Sequence, residues 1–373
     1  MMNENVIAGQ NTSNSQNNCS LPLVTVMIAT FNSEKVLKRT MDAIAEQTYP
    51  NIEILLMDGG STDQTFQIAK AYDNCKIINN PKTDPVSAKL LGLQNAHGRY
   101  LITVDHDEVM INPKTIELEV QSLTEHPQCK AAIVSGYRRP KDYPLLNQYI
   151  SEYGDPFSLF IYRFSKDDQY LEKLLNKYYT RKFNNEEYSV FSFEKIKKQP
   201  LFELVCAGSM IDRNYFVDCT DIETNPATLT QLFYIMLSMG NYDLAYIKNA
   251  PLEHYSVDSL KAYLPKIKWR IINNVHYADK ASNGFTGRAK LQEKSADNIS
   301  FRKYLFVLYT ITIIPSVIDA VCMAVTRKNP VYLLHPFLCW YVLVEIAYQM
   351  ILKLQQKTPV LTSYDGKKKI SSD

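Results

Sequence analysis

The sequence YLITVDHDE at residues 100–108 joins a short apolar run to a cluster of acidic side chains. The run at 100–104 predicts a buried β-strand, because it is short and rich in aromatic and β-branched residues. Side chains alternate along an extended chain, so Asp105 and Asp107 lie on the same side. Paired carboxylates at a strand end suit Mg²⁺ or Mn²⁺, and such an ion can bind a diphosphate. This short motif is common by chance, and its position directly after a strand gives it weight.

Three further strands precede this motif, and a helix follows each of them. The predicted strands are 23–29, 52–57 and 76–79, and the predicted helices are 34–47, 64–72 and 85–97. Strands and helices in alternation predict an α/β fold with a mostly parallel central sheet. Ligands bind such sheets at the carboxyl ends of the strands. We therefore expect the polar segments 30–33, 58–63 and 105–108 to share one rim of the sheet.

The composition argues against several classes of protein. The 373 residues include 41 Lys and Arg against 39 Asp and Glu, and this balance argues against a dedicated nucleic-acid binder. None of the seven Cys residues forms a CxxC pair, which argues against a zinc knuckle or a secreted disulfide framework and favours a reducing compartment. Residues 1–20 are polar and lack the basic start and apolar core of a signal peptide. We expect a disordered polar tail there and folding in the cytosol.

The order and spacing of motifs over residues 22–110 resemble those of family 2 glycosyltransferases with a GT-A fold. The segments that carry the resemblance are ATFN at 29–32, QTYPNIEI at 47–54, DGGSTDQT at 58–65, Ala88-Lys89, GRY at 98–100 and DHD at 105–107. The resemblance is looser over 200–256 and gives no assignment for 137–200, which we interpret as an insertion of helices and loops. It implies a GT-A (nucleotide-diphospho-sugar transferase) catalytic domain over 21–256.

The resemblance implies a site for a nucleoside diphosphate sugar at the rim. Phe31 would stack on the nucleotide base, and Asp58 would accept hydrogen bonds from the base or the ribose. Lys89 stands where the family usually has Arg, and would neutralise phosphate as a point charge. Gly208 lies in a segment that resembles the family's glycine loop near the donor sugar. The residues implied in nucleotide-sugar binding are Thr30, Phe31, Asn32, Asp58, Gly59, Lys89, Asp105 and Gly208.

The resemblance also implies a divalent metal, Mg²⁺ or Mn²⁺. Asp105 would contact the ribose and the metal, and Asp107 would bind the metal. His254 follows a late predicted strand and resembles the histidine that some members bring to the metal or the diphosphate. A single histidine is more often structural, so both roles stay open for His254.

The catalytic base is where this sequence departs from the family. Inverting members carry an acidic pair about a dozen residues before a glycine like Gly240, and this chain has Thr228-Leu229 there. An inverting displacement needs a carboxylate to accept the proton of the acceptor hydroxyl. The candidates are Asp221 and Glu223, a few residues earlier. A lipid phosphate acceptor is already an anion and would depend less on a strong base.

The C-terminal part of the chain predicts contact with a membrane. Residues 257–300 mix apolar side chains with Lys and Arg, which predicts a basic amphipathic interfacial helix or a helix packed on the domain. Two apolar stretches, 304–325 and 331–352, each have the roughly 20 residues that a membrane span needs. We predict a hydrophobic hairpin of two transmembrane or re-entrant helices over 301–356, and a basic cytoplasmic tail over 357–373. Proline interrupts both stretches, so a re-entrant or interfacial hairpin is the rival of a spanning one, and two buried core helices are a further alternative.

These expectations combine into one function. The chain would move a sugar from a UDP- or GDP-linked donor to a polyprenyl phosphate or lipid-linked glycan, at the cytoplasmic face of the cell membrane. The alternative is a catalytically inactive nucleotide-sugar-binding or scaffold protein of a membrane glycan assembly, because the acidic pair is absent. A nucleotidyltransferase fits less well, since no Gly-rich phosphate loop follows the first strand.

Overall fold

The computed structural model describes residues 21–224, 226–276 and 299–360. Its strands are β1 (Val24–Thr30), β2 (Ile52–Asp58), β3 (Cys75–Asn79), β4 (Tyr100–Asp105), β5 (Glu108–Met110), β6 (Ala131–Ile133), β7 (Tyr137–Arg138), β8 (Thr180–Asn184), β9 (Tyr188–Ser192), β10 (Met210–Asp212), β11 (Asp243–Ile247) and β12 (Leu252–His254). The predicted tail at 1–20 lies outside the described residues, as do parts of the predicted segments 257–300 and 357–373.

The helices fall into three groups along the chain. Those of the first half are α1 (Leu37–Ala45), α2 (Thr65–Ala69), α3 (Pro85–Asn95) and α4 (Thr115–Glu125). The middle group is α5 (Leu146–Tyr153), α6 (Pro156–Tyr162), α7 (Leu171–Tyr178), α8 (Arg213–Cys219), α9 (Pro226–Leu229) and α10 (Leu232–Ser238). The last group is α11 (Leu260–His276), α12 (Ile299–Ile311), α13 (Ile314–Thr326), a 3₁₀ turn (Pro330–Leu334) and α14 (His335–Leu354).

The large sheet has the strand order β3-β2-β1-β4-β10-β6-β11-β9-β8. Its first four strands are parallel and are connected through α1, α2 and α3, as the alternation of strands and helices predicts. β10 runs antiparallel to both β4 and β6, so the sheet as a whole is mixed. A second, small sheet has the order β5-β12-β7. The predicted α/β fold class is confirmed.

Local sequence specifies the early elements. Every residue of β1 is buried, which suits a central strand that is covered on both faces. Asp84 caps α3 through two backbone amides, and Pro85 occupies the first helical turn. Gly92 of α3 packs on β1, where a Cβ atom would lie only 1.9 Å from Met27 Sδ. This close contact seats α3 on the sheet with its first turn near the carboxyl ends of the strands.

The segment 137–200, which we interpret as an insertion and call the insertion below, contains α5, α6, α7 and a hairpin, β8–β9, that extends the sheet edge. The sequence does not predict this hairpin, because β8 is polar and mostly exposed and lacks an apolar alternation. Residues 202–208 are sheet-like in sequence, yet they form a loop. Ala207 and Gly208 end that loop with positive φ values of 56° and 63°, which a strand does not accept.

The C-terminal helices form a layer on α5, α6 and α11. A buried cluster that includes Tyr149, Phe306 and Leu338 holds this layer together. α12 and α13 meet at 89°. Within the described ranges, one helical stretch, Pro330–Leu354, is long and apolar enough to cross a membrane, and the bent pair α12–α13 counts as a second only if it is one broken span.

α11 and α14 lie side by side and run in the same direction. Tyr341 Oη donates to the carbonyl of Leu264, at the start of the shared stretch. Further along, Lys268 Nζ lies 3.5 Å from Glu345 Oε1. Near the end, Lys353 Nζ donates to a carbonyl in the last turn of α11. The basic helix therefore accompanies the apolar helix along most of its length.

Candidate active site

The register of the parallel strands brings three polar segments to one edge of the sheet. Thr30 pairs with Asp58 across β1 and β2, and Ala29 pairs with Asp105 across β1 and β4. The amide of Gly59 donates to the carbonyl of Thr30 at 2.9 Å, which continues the pairing past the strand ends. The segments after β1, β2 and β4 therefore share a rim.

Asn32 and Asp58 hold the first two loops of the rim together. Asn32 is in the left-handed region (φ 48°), its amide donates to Ser61 Oγ at 2.8 Å, and its Oδ1 accepts from the amide of Thr62 at 2.9 Å. Asp58 Oδ2 accepts from the amide of Ser61 at 3.0 Å. A carboxylate offers about four acceptor positions, so Asp58 keeps capacity for a ligand. Asn32 has its side-chain oxygen committed to the loop.

Phe31 and Gly59 form a matched pair on the same rim. A Cβ atom at Gly59 would lie 3.3 Å from Phe31 Cδ2 and 3.0 Å from Thr83 Cγ2. Thr83 Oγ1 also donates to the Gly59 carbonyl at 3.1 Å. Glycine at this position therefore allows the half-buried Phe31 ring to lie against the loop.

Lys89 places a cation at the centre of the rim. It lies in the second turn of α3, and its Nζ is 3.7 Å from Asp105 Oδ1. Burial would lower the pKa of Lys89, but the negative charge of Asp105, with smaller effects from Cys206 and Glu203, outweighs burial and raises this pKa. Lys89 is therefore a permanent positive charge, and the Asp105 side chain beside it is 37% exposed and open to a ligand.

Asp107 and His254 form a second, buried pair beside Asp105. His254 Nε2 lies 3.6 Å from Asp107 Oδ2, and its Nδ1 is 3.0 Å from Ser151 Oγ of α5. Burial would raise the pKa of Asp107, but the positive charges of His254 and His106 hold this pKa well below its usual range. Burial would lower the pKa of His254, and the Asp107 charge outweighs burial and raises it. The two side chains therefore stabilise each other's charged forms.

Glu108 is a site residue that the sequence reasoning did not select. It pairs with His254 in the register of β5 and β12, and this pairing is what brings the histidine to the rim. Its carboxylate accepts from the amide of Asp105 at 2.9 Å and from Tyr137 Oη at 2.5 Å. Burial, followed by the Asp105 charge, raises the pKa of Glu108 to about 7. The available signal was its place as the next acid after the DHD motif.

The residues at this rim fit a divalent ion in their chemistry. Carboxylate oxygens suit Mg²⁺ and Mn²⁺, and imidazole suits transition metals. In the described part of the chain, no group of three or more His, Cys, Asp or Glu is gathered closely enough to hold an ion. Asp107 and His254 lie together, whereas Asp105 is tied to Lys89. Proteins usually supply only part of the ligands of Mg²⁺, which is held by one or two carboxylates together with substrate phosphates.

Comparison with known proteins identifies the family of this rim. The model of "Glycosyl transferase family 2" matches residues 25–199, which include β1 to β9 and the rim up to Glu108. Residues 25–199 belong to glycosyl transferase family 2. The predicted family is thus confirmed.

Several proteins are similar to this family 2 domain. Glycosyltransferase GlyG of Streptococcus pneumoniae is 29% identical over 183 residues, or 48% of this chain and 57% of GlyG. The putative glycosyltransferase EpsE of Bacillus subtilis is 34% identical over 28% of this chain and 40% of its own length. WfaP of Escherichia coli, named as a UDP-Glc:α-D-GlcNAc-diphosphoundecaprenol β-1,3-glucosyltransferase, is 33% identical over 25% of this chain and 39% of its length. The chain therefore spans between about two fifths and three fifths of these relatives.

Solved structures with some similarity include TarS and a mannosyltransferase. TarS residues 1–349 of S. aureus, in complex with UDP, gives a TM-score of 0.44 at 16% identity and covers 90% of this chain and 92% of its own. The mannosyltransferase PcManGT of Pyrobaculum calidifontis, in complex with GDP-Man and Mn²⁺, gives a TM-score of 0.44 at 14% identity and covers 88% and 87%.

The structure does not bring the candidate base Glu223 to the rim. Its Oε1 lies 3.3 Å from Arg213 Nη2, and its carbonyl accepts from Gln94 Nε2 at 2.6 Å. Arg213 follows β10, whose last residue pairs with Tyr100 at the start of β4. Glu223 therefore lies near the amino end of β4 and the last turn of α3, at the edge opposite the rim.

The other candidate base, Asp221, has a local structural role. Its Oδ1 accepts from Thr228 Oγ1 at 2.5 Å, which ties the loop before α9 to that helix. Thr228 is the position where the family usually has its acidic pair, so Asp221 places a carboxylate next to that position.

Gly208 adopts a conformation that favours glycine. Its φ is +63°, and a Cβ atom there would lie 3.2 Å from Leu252 Cδ1. Its amide donates to the carbonyl of Thr103 in β4 at 3.0 Å. The glycine loop therefore lies against the strand that leads into Asp105.

Proposed function

We propose that the protein transfers a sugar from a nucleoside diphosphate sugar to an acceptor at a membrane surface. The observation that carries this proposal is the rim at Lys89 and Asp105, which lies within a segment of glycosyl transferase family 2. The rim combines a permanent cation with carboxylates at the carboxyl edge of a parallel sheet, and ligands bind at that edge in α/β sheets.

The proposed chemistry is electrostatic stabilisation of the leaving diphosphate. Lys89 is held as a cation by Asp105, so it can neutralise phosphate charge that develops as the sugar departs. Asp107 and Asp105 would hold a divalent metal together with the diphosphate. His254 would join them only in its neutral form, because both nitrogens of a protonated imidazole carry protons and cannot bind a metal. The metal would supply Lewis-acid stabilisation of the phosphate oxygens. Glu108 would fix the backbone of Asp105 through its hydrogen bond to that amide.

The acceptor in this proposal is a lipid or a lipid-linked glycan. WfaP, by its printed name, acts on a lipid-linked acceptor, and it is one of the relatives of this chain. The C-terminal layer exposes large apolar side chains, among them Ile314, Val325 and Leu354. Exposed large apolar side chains in such number are typical of protein or membrane contact sites. We propose that these side chains enter one leaflet of the membrane and so hold the rim near lipid acceptors.

A transfer assay with a matched variant pair tests the proposal. The wild type is incubated with radiolabelled UDP- or GDP-sugars, Mn²⁺ or Mg²⁺, and acceptors that include polyprenyl phosphates. Lys89→Gln should lower kcat/KM by about a hundredfold, in the range of losing one charge-stabilising donor. Lys76→Gln is the control, because Lys76 is an exposed lysine on the edge strand β3. Chelation of the metal should abolish transfer.

Two results would contradict this function. If Lys89→Gln and Lys76→Gln are equally active, the rim does not take part in sugar transfer. Binding of UDP or GDP by the wild type without turnover on any acceptor would support a nucleotide-sugar-binding scaffold instead.

A further inference from the structure

A basic cleft lies between the insertion and the C-terminal layer, apart from the rim. Its volume is ≈ 250 Å³. Its walls are the end of α5, the loop after α6, the helix α7 and the residue that follows α13. Four basic side chains line it, together with tyrosines and a serine, and its lining contains no acidic residue. The basic residues are Arg163, Lys173, Lys177 and Arg327.

The positive charge of this cleft is only partly compensated. Arg163 Nη2 pairs with Asp319 Oδ2 at 2.7 Å, and Arg327 Nη2 pairs with Glu152 Oε1 at 2.8 Å. The two lysines, one helical turn apart on α7, make no ion pair with the described residues and are exposed. Four cations therefore face two carboxylates, which leaves an excess of positive charge that favours an anion.

One of the lining arginines, Arg327, is held by several contacts. Besides its pair with Glu152, the Arg327 guanidinium lies 3.8 Å from the centre of the Tyr170 ring. Its Nη2 also donates to Tyr153 Oη at 3.2 Å. Its Nε and Nη2 also donate to Glu152, and its Nη1 donates to Thr326 Oγ1 at 3.0 Å, so the guanidinium is a fixed positive charge beside the cleft. The two exposed lysines supply the N–H donors for an anion.

The cleft begins where the apolar surface of α13 ends. Val325, two residues before Arg327, is 70% exposed, and Val321, one turn earlier, is also exposed. Tyr170 Oη donates to the carbonyl of Thr326 at 2.9 Å, which joins α7 to this end of α13. If the exposed apolar side chains of α13 enter the hydrocarbon core of a membrane, the cleft lies at the depth of the lipid phosphates. Lys, Arg and Tyr side chains are favoured at that depth.

One helix separates the cleft from the rim. On α5, Ser151 contacts His254 of the rim, and the next residue, Glu152, pairs with Arg327 of the cleft. A helix with its side chains is about 10–12 Å across, so an anion in the cleft lies about that far from the rim. A phosphate bound there is too far away to react with a sugar held at the rim, but it can anchor a longer lipid-linked molecule.

We propose that this cleft binds the phosphate or diphosphate group of an anionic membrane lipid. The proposal rests on the membrane contact in the proposed function. The lipid is either a bulk phospholipid or the lipid carrier of the acceptor. Both present the same phosphate chemistry at the same depth of the membrane, and the experiment distinguishes them.

Vesicle flotation with the full chain tests the cleft. The vesicles contain phosphatidylcholine alone, phosphatidylcholine with phosphatidylglycerol, or phosphatidylcholine with a polyprenyl phosphate. Lys173→Gln with Lys177→Gln should weaken binding to anionic vesicles by about thirtyfold, from the usual effect of two lysines at such a surface. Lys70→Gln with Lys76→Gln removes the same charge from two exposed positions, one directly after α2 and one on β3, and should leave binding within about twofold.

The outcomes separate the possible ligands. A loss confined to polyprenyl phosphate vesicles identifies the acceptor carrier, and a loss on both kinds of anionic vesicle identifies bulk lipid. Three results would each overturn the proposal. The first is an equal loss of vesicle binding in the two double variants, and the second is unchanged vesicle binding in Lys173→Gln with Lys177→Gln. The third is that the wild type binds inorganic diphosphate but the cleft variant binds vesicles as well as the wild type does. UDP binding is measured in the same variants. The affinity for UDP should be unchanged in both double variants. Loss of lipid binding at the cleft can therefore be told apart from loss of nucleotide binding at the rim.

Discussion

Glu152 joins the insertion to the C-terminal layer, and we expect Glu152→Ala to destabilise the protein strongly. Its side chain is 0% exposed. One of its oxygens accepts from Arg327 Nη2 at 2.8 Å and Nε at 3.2 Å and from Ser165 Oγ at 2.6 Å. The other accepts from Tyr332 Oη. The replacement removes the partner of all these donors at once.

The size of the effect follows from the burial of both charges. The Arg327 side chain is 14% exposed, so the variant leaves a guanidinium without its counter-charge in a largely dry place. Breaking such a buried pair costs about 3–5 kcal/mol in the free energy of unfolding. Arg163→Ala is a matched control, because Arg163 is 48% exposed where it pairs with Asp319. An exposed pair contributes about 0–1 kcal/mol.

Urea denaturation followed by tryptophan fluorescence measures this difference. Both tryptophans of the chain, Trp269 on α11 and Trp340 on α14, report on the C-terminal layer. The double variant Glu152→Ala with Arg327→Ala should be more stable than the sum of the single losses predicts, by about 0.5–3 kcal/mol. The reasoning is refuted if Glu152→Ala costs no more than Arg163→Ala, or if the two single losses add without coupling.

Two further predictions concern packing and pH. Gly92→Ala should lower the free energy of unfolding by about 1–3 kcal/mol, because the added methyl group overpacks against Met27. The loss should be smaller when Met27 is also replaced by Ala, and urea denaturation midpoints measure both effects. Burial, followed by the Glu152 charge, raises the pKa of Asp167 to about 6, so the folded state binds this proton more tightly than the unfolded state. The free energy of unfolding of the wild type should therefore fall, relative to Asp167→Asn, as pH rises from about 4 to about 6. Parallel pH profiles of the two proteins would contradict this assignment.

The fold of residues 22–105 could be predicted because the sequence signals there are local. Short apolar runs specify β1, β2 and β4, and the caps and breaks between them specify the helices. Parallel pairing then places the strand ends together, so the rim at Asp58 and Asp105 follows from chain order alone. Asn32 shows where this reasoning stops. Its side-chain oxygen binds the amide of Thr62, and no sequence pattern shows that a polar rim residue is already committed to a partner.

The rest of the site depends on contacts between distant parts of the chain. Glu108 and His254 meet only because β5 pairs with β12, and both strands have three residues, too few for a periodic signal. Glu223 was selected by its spacing from Gly240, but its pair with Arg213 directs it to the other edge of the sheet. Spacing along the chain predicts position only within an element, and Glu223 lies in the loop between α8 and α9.

The pairing of α11 with α14 bears on how the protein meets a membrane. α14 has 20 residues and rises about 30 Å, enough to cross the hydrocarbon core, and Glu345 lies near its middle. Lys268 of α11 pairs with Glu345 there, at 3.5 Å. A crossing α14 would carry this pair and the other basic side chains of α11 to the bilayer centre, where each charged residue costs about 2.5–3.5 kcal/mol. With both helices in the interface, the lysines reach the headgroups while the apolar side chains enter the hydrocarbon. This contact therefore favours the proposed arrangement in one leaflet over a span.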